Sequence, residues 1–190
     1  MPFDNYLIID VETCPIDMEK HDSLGEEDRR QLINPIDSRA VAIGIRRNGT
    51  DTIFCLEDEQ KLLEDFWAEW RKAREGGAFI VGFNLLSFDM PFLVTRSFIH
   101  NVAIAPFNLK SIIDLRDRIS AFRTGHTRGT LKEFAALLGM ETMGDGSQIA
   151  RLCKAGDMKA IEEYLKNDLL ITDEMFKRAR DTNILGIEKW

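Results

Sequence analysis

Cysteine is scarce in this chain of 190 residues: Cys14, Cys55 and Cys153 are the three present, and no two form a C-x-x-C pair. That count argues against a disulfide framework and against a structural zinc site, and leaves the thiols as expected core or solvated residues. Histidine is as thinly spread, at His21, His100 and His126, so an imidazole-rich metal site has little to build on. No apolar run approaches the ~18–20 residues that a membrane helix needs, so no membrane partner is expected. The opening residues Met1–Tyr6 show neither a basic flank nor a cleavable apolar stretch, which makes the cytoplasm the default compartment. Positive charge is also in deficit, with 25 Lys and Arg against 32 Asp and Glu and a net charge of −7. This is unusual for a partner of nucleic acid, although distribution matters more than the sum. The stretch from Lys110 to Lys132 holds Arg116, Arg118, Arg123, His126 and Arg128 against Asp114 and Asp117.

What is present belongs to a globular protein: 44% hydrophobic and 30% charged residues, with length enough for one domain over residues 1–190 with a full core. Tyr6 to Val11 is a β-branched and aliphatic run that predicts a first strand. Residues 14–38 are polar and predict a long irregular excursion, with one helical turn near Gly25 to Leu32. Asn48-Gly49 between the runs Ala40–Arg46 and Asp51–Leu56 predicts a hairpin. Helical spacing then marks 57–74, 88–99, 130–138, 147–154 and 158–180, and short strands are expected at 78–82 and 111–115. Three strands in a meander followed by strand–helix crossovers imply an α/β fold: a mixed sheet, antiparallel at first and then parallel, flanked by helices.

Within this frame four acids and one tyrosine attract attention. Asp10 and Glu12, in Leu7-Ile8-Ile9-Asp10-Val11-Glu12-Thr13, alternate along a strand and therefore share a face, while Val11 points to the other side. Alone, a D-x-E strand end is weak, but two acids closing a central apolar strand need a reason. Asp89 ends Gly82-Phe83-Asn84-Leu85-Leu86-Ser87-Phe88-Asp89, where a strand gives way to a helix; a simple N-cap is the competing reading. Tyr164 and Asp168 are four apart on one helix and so share a face, as they also would on an ordinary amphipathic helix. Acids gathered at one point repel one another and take up protons unless a cation neutralises them, so convergence of these residues implies divalent metal and phosphoryl chemistry.

The three segments together resemble the motifs of the DnaQ-like, or DEDD, 3′→5′ exonucleases. The second segment is similar to the Asn-x-x-x-Phe-Asp form found in family B DNA polymerases, and Tyr164-Leu165-Lys166-Asn167-Asp168 resembles the tyrosine (DEDDy) version of the third. The resemblance runs from residue 6 to about 172 and implies an RNase H-like fold with a five-stranded mixed sheet, here as a stand-alone exonuclease. It implies two Mg²⁺ or Mn²⁺ ions held by Asp10, Glu12, Asp89 and Asp168, with Asp10 shared between them and Tyr164 orienting the attacking water. Single-stranded nucleic-acid 3′ ends, DNA favoured, are the implied partner, and nucleoside 5′-monophosphates the product.

Around these residues, Asn84 and Phe88 are candidates for contacting the terminal nucleotide by hydrogen bond and by stacking. Phe88 reads equally well as a core aromatic. Thr13 is a candidate for the 3′ hydroxyl by analogy. Arg116 and Arg128, with Arg118, Arg123 and Lys132, would follow the phosphate backbone, unless they form a solvated face with pairs to Asp114 and Asp117. An exoribonuclease, a structure-specific nuclease and a non-catalytic nucleic-acid-binding module stay open as alternatives.

Overall fold

The computed structural model describes residues 3–125, 128–144 and 146–187; His126, counted above in the basic stretch, lies outside them. Five strands form one sheet in the order β3-β2-β1-β4-β5. The first, β1 (Tyr6–Pro15), is central. It pairs antiparallel with β2 (Ser38–Arg47), which pairs antiparallel with β3 (Thr50–Cys55) across the Asn48-Gly49 turn. Both turn residues have positive φ, 52° and 78°, the conformation a tight hairpin demands and the reason Asn-Gly predicts it. On the other side β4 (Phe79–Gly82) and β5 (Ile112–Asp114) run parallel to β1. The mixed sheet, antiparallel then parallel, is as expected.

Residues 14–38 depart from expectation at both ends. The first strand continues to Pro15, where Cys14 is buried and pairs with Arg39. The excursion then forms two short helices instead of one turn, α1 (Met18–Ser23) and α2 (Glu26–Gln31). Asp17 caps the first by accepting the Lys20 N–H at 2.8 Å, a local signal hidden in a polar stretch without apolar periodicity.

The remaining helices are α3 (Glu59–Glu75), α4 (Asp89–Ile99), α5 (Leu115–Ile119), α6 (Leu131–Leu137), α7 (Ile149–Ala155) and α8 (Met158–Asp181). Alternation along β1 separates two cores. Leu7, Ile9 and Val11 pack with Phe66, Trp67 and Trp70 of α3 and Phe92 of α4. Ile8 and Cys14 face the opposite layer, with Ile161, Leu165, Leu169 and Phe176 of α8. Asp10 and Glu12 are therefore aimed at the α8 layer by strand geometry alone. Beneath α3 and α4, the buried Glu59 carboxylate accepts the Ala40 N–H at 2.7 Å and the Arg96 Nε–H at 2.8 Å, which fixes both helices to β2. Among the described residues no helix is long and apolar enough to cross a membrane.

Candidate active site

The site is assembled where α8 crosses the middle of β1, just beyond its pairing with β4. Directly opposite Asp10 in the β1–β2 ladder stands Gly44. A Cβ there would lie 2.6 Å from Leu169 Cδ1, 3.0 Å from Leu165 Cγ and 3.2 Å from Ile53 Cδ1. The missing side chain lets α8 settle on the sheet, and Tyr164 and Asp168 ride in with Leu165 and Leu169. Carboxylate oxygens of Asp10, Glu12 and Asp168 consequently all lie within 4.8 Å of one another. Glu12 and Asp168 are buried, whereas Asp10 keeps a partial opening to solvent.

Asp89 stands beside this trio and is not one of the three that close to 4.8 Å. It is the first residue of α4 and buried. The cap position falls to Phe88, which makes no side-chain cap bond, so neither Ser87 nor Asp89 caps this helix. Since β4 pairs with β1 only from Tyr6 to Ile8, the Val11 N–H is left to the Asp89 carboxylate, which accepts it. That bond ties the second motif to the first, between Asp10 and Glu12.

The loop ahead of Asp89 is held by a residue that sequence reasoning passed over. Asp114, buried at the end of β5, accepts the Asn84 N–H and the Leu86 N–H at 3.0 Å each, and the Arg116 N–H at 3.0 Å. Asn84 takes φ +63°, a left-handed conformation that Asn tolerates better than most residues. Its side-chain oxygen accepts from Arg116 Nη1 at 3.0 Å. Asn84 and Arg116, both proposed above to touch substrate, are thus joined to each other. The signal for Asp114 was an acid closing the apolar pair Ile112-Ile113, the same pattern that marks Asp10.

Electrostatics agree with the geometry. Burial first, and then the charges of Asp89, Glu12 and Asp168, push the Asp10 carboxyl well above the usual carboxylate range. Glu12 is raised in the same way, by burial and then by Asp168 and Asp89. Burial also raises Asp168, opposed by its contacts with Lys132 and Tyr164. Lys132, grouped above with the basic stretch, is the counter-charge here: α6 delivers its ammonium to Asp168 and over the Tyr164 ring, 4.4 Å from the centroid. The Tyr164 hydroxyl bonds Asp168, and burial together with the neighbouring carboxylates drives its pKa far upward, so the phenol stays protonated. Hard oxygens in excess, crowded and reluctant to ionise, fit a divalent cation of the Mg²⁺ or Mn²⁺ type.

Thr13 and Phe88 both border a cavity of about 650 Å³ that reaches Glu12. Phe88 is half-buried and meets Phe92 with ring centroids 5.5 Å apart. Arg128 lies against Asp117, and Arg118 donates to the Ile187 carbonyl, while Arg123 is exposed. The expectation for cysteine is corrected: Cys14 and Cys153 form a disulfide, with Cα atoms 6.4 Å apart, and only Cys55 is free among the described residues. Their 139-residue separation concealed a pairing that docking of α7 beside β1 creates.

Residues 38–183 match the family described as a predicted 3′–5′ exonuclease related to the exonuclease domain of PolB. An uncharacterized protein of Methanocaldococcus jannaschii is 34% identical over 165 residues, covering 80% of this chain and 92% of that protein. Among solved structures, the family B DNA polymerase of the hyperthermophilic archaeon Pyrobaculum calidifontis superimposes with a TM-score of 0.69 at 16% identity, over 94% of this chain. The chain spans about a quarter, 25%, of that polymerase, and at this identity the likeness shows the fold, which is RNase H-like. The chain belongs to the family of predicted 3′–5′ exonucleases related to the PolB exonuclease domain.

Proposed function

From membership in this family, we propose that the protein is a metal-dependent 3′→5′ exonuclease that hydrolyses terminal phosphodiester bonds of single-stranded nucleic acid, DNA favoured, to nucleoside 5′-monophosphates. The observation that carries this reading is the gathering of Asp10, Glu12 and Asp168 within 4.8 Å, with Asp89 bonded to the strand between them. Asp10, Glu12, Asp89 and Asp168 would hold two Mg²⁺ or Mn²⁺ ions. Bound there, the ions supply Lewis acidity toward the phosphate and lower the pKa of water.

The chain's own residues do the rest. Tyr164, protonated and fixed against Asp168, can orient a water through its hydroxyl but is too weak an acid to serve as an anionic base at neutral pH. Lys132 offsets the charge of Asp168. Thr13 and Phe88, which line the same cavity as Glu12, would receive the terminal sugar and base, and a terminal nucleotide must be unpaired to reach a recessed site. Asn84, pinned by Asp114 and Arg116, would offer its remaining amide hydrogen-bonding capacity.

The test offers single- and double-stranded DNA and RNA oligonucleotides labelled at either end. Stepwise loss from the 3′ end in Mg²⁺ or Mn²⁺ is expected, with Asp10→Ala and Asp168→Ala reduced by more than about 100-fold, since disturbing even the residues behind metal ligands costs 10–100-fold. Wild-type rates in either variant, with circular dichroism unchanged, would sink the assignment. Preference for RNA would redirect it to an exoribonuclease.

A further inference from the structure

We propose that the trough between α2 and α7 is the path of the substrate strand beyond the metal site, a phosphate-binding groove for the nucleotides that trail the reacting one. The inference rests on the nuclease reading above. The cavity of about 650 Å³ that begins at Glu12, Thr13 and Phe88 extends to Arg29, Arg30 and Ile33. A second cavity of about 680 Å³ carries on to Arg151 and Lys154, and the two share His21, Arg29, Ser147 and Ala150. A ligand pocket of ~300–1,000 Å³ ordinarily suits one small molecule; this continuous trough has room for more than one nucleotide.

Its chemistry is that of a single strand. Arg29 donates to the backbone carbonyls of His21 at 3.0 Å and Asp22 at 3.1 Å, groups that orient the guanidinium without matching its charge. Arg151 is exposed and makes no salt bridge among the described residues. Arg30 and Lys154 pair with Glu26 and Asp22 at exposed positions, where such pairs are worth little and yield readily to phosphate. In the same trough Ile33 is 52% exposed, and Phe88 presents part of its ring at the Glu12 end. Apolar faces beside cations are what bases and phosphates require. The rival path is partly closed: Arg116 is bonded to Asn84, Arg128 to Asp117 and Arg118 to the Ile187 carbonyl. Any strand lying in the trough also reaches a candidate metal ligand, Glu12, at its inner end.

The experiment compares wild type, Arg30→Glu/Arg151→Glu, and Arg71→Glu/Lys72→Glu, which makes the same charge change on exposed positions of α3. The probe is a 5′-fluorescein thymidine 12-mer. Binding is read by anisotropy in Ca²⁺, another hard cation that oxygen ligands accept, and hydrolysis in Mn²⁺. The groove variant should bind about tenfold more weakly, with a salt slope lowered by roughly 0.7–1.4, the value for one or two lost phosphate contacts on a single strand. Its KM for the 12-mer should rise by a similar factor and its KM for a dinucleotide by less. Equal effects in the α3 variant, or no effect in the groove variant, would overturn the proposal. So would photocrosslinks from 4-thiothymidine that map to 116–128 rather than to α2 and α7. If the wild type binds the strand and the groove variant does not, yet nothing is hydrolysed, the nuclease reading fails and the groove stands. If the wild type binds no strand, both fall.

Discussion

Replacing Asp89 by Asn isolates what the acidic site costs the fold. The Asp89 carboxyl is pushed up to about 7 from 3.8, by burial first, against hydrogen bonds from its own N–H and that of Val11, with the Asp114 charge adding to the rise. In the unfolded chain it is an ordinary carboxyl. Between those two values the folded state holds more proton than the unfolded state, so stability falls as pH rises through the window. Three units at ~1.4 kcal/mol each make the ionised group cost the metal-free fold about 4 kcal/mol above pH 7, and roughly 1.5–2 kcal/mol at pH 5. The amide carries no such charge. In EDTA at pH 8 Asp89→Asn should therefore melt above wild type by about 5–10 °C, allowing ~2–3 kcal/mol after relaxation and ~2–4 °C per kcal/mol. At pH 5 the gap should shrink to about half. Divalent metal narrows the gap, because the wild type gains about 2.7 kcal/mol at 100 times its Kd and the variant gains less. Scanning calorimetry at pH 5, 6.5 and 8, in EDTA and in Mn²⁺, reads all of this. A variant no more stable than wild type in EDTA at pH 8 would show that burying the ionised Asp89 carboxylate costs the fold nothing, and would refute the reasoning.

Other substitutions probe the supports of the site. Tyr164→Phe should lower kcat by about 10- to 100-fold while KM changes little, the pattern of a group that acts in the transition state; steady-state kinetics on a labelled single strand decides it. Gly44→Val should destabilise by about 1–3 kcal/mol, the usual cost of overpacking. It should also weaken Mn²⁺-induced stabilisation, since the new side chain would lift Leu165 and Leu169 and carry Asp168 away from Asp10. Reducing the Cys14–Cys153 disulfide should lower stability by about 2–4 kcal/mol, seen as a drop in melting temperature with a phosphine reductant and absent in Cys14→Ala/Cys153→Ala.

The parts of the fold that were legible in the sequence were those governed by local rules. Two-residue alternation placed Asp10 and Glu12 on one face and Val11 on the other, and the two cores follow that division. Asn48-Gly49 announced its hairpin, and helical spacing announced the helix from 130, which the structure opens with a reciprocal capping box between Thr130 and Glu133. What escaped depends on contacts between distant segments. Gly44 reads in sequence as a weak point of a strand; its purpose appears only once α8 lies over it. Lys132 was grouped with its neighbours because sequence does not say which way α6 turns, and its place is against Asp168. Asp114 needed the knowledge that β5 lies next to β4, where its carboxylate can hold the loop that leaves that strand. The continuation of β1 to Pro15 was masked by the proline and by the polar run behind it, because the strand partners of Cys14 and Pro15, Arg39 and Ser38, lie more than twenty positions away.

The disulfide has a topological consequence for the carboxylate cluster. It closes residues 14–153 into a covalent ring. Asp10 and Glu12 sit on the arm that enters the ring, and Tyr164 and Asp168 on the arm that leaves it. The two arms are therefore knotted together at a point two residues from Glu12, whatever becomes of the chain between. A single backbone cut at the exposed hairpin tip 48–50 or at 123–125 would leave one molecule, with the acids of both arms still bound to each other through Cys14 and Cys153. Only a cut combined with reduction would let the halves of the site part company.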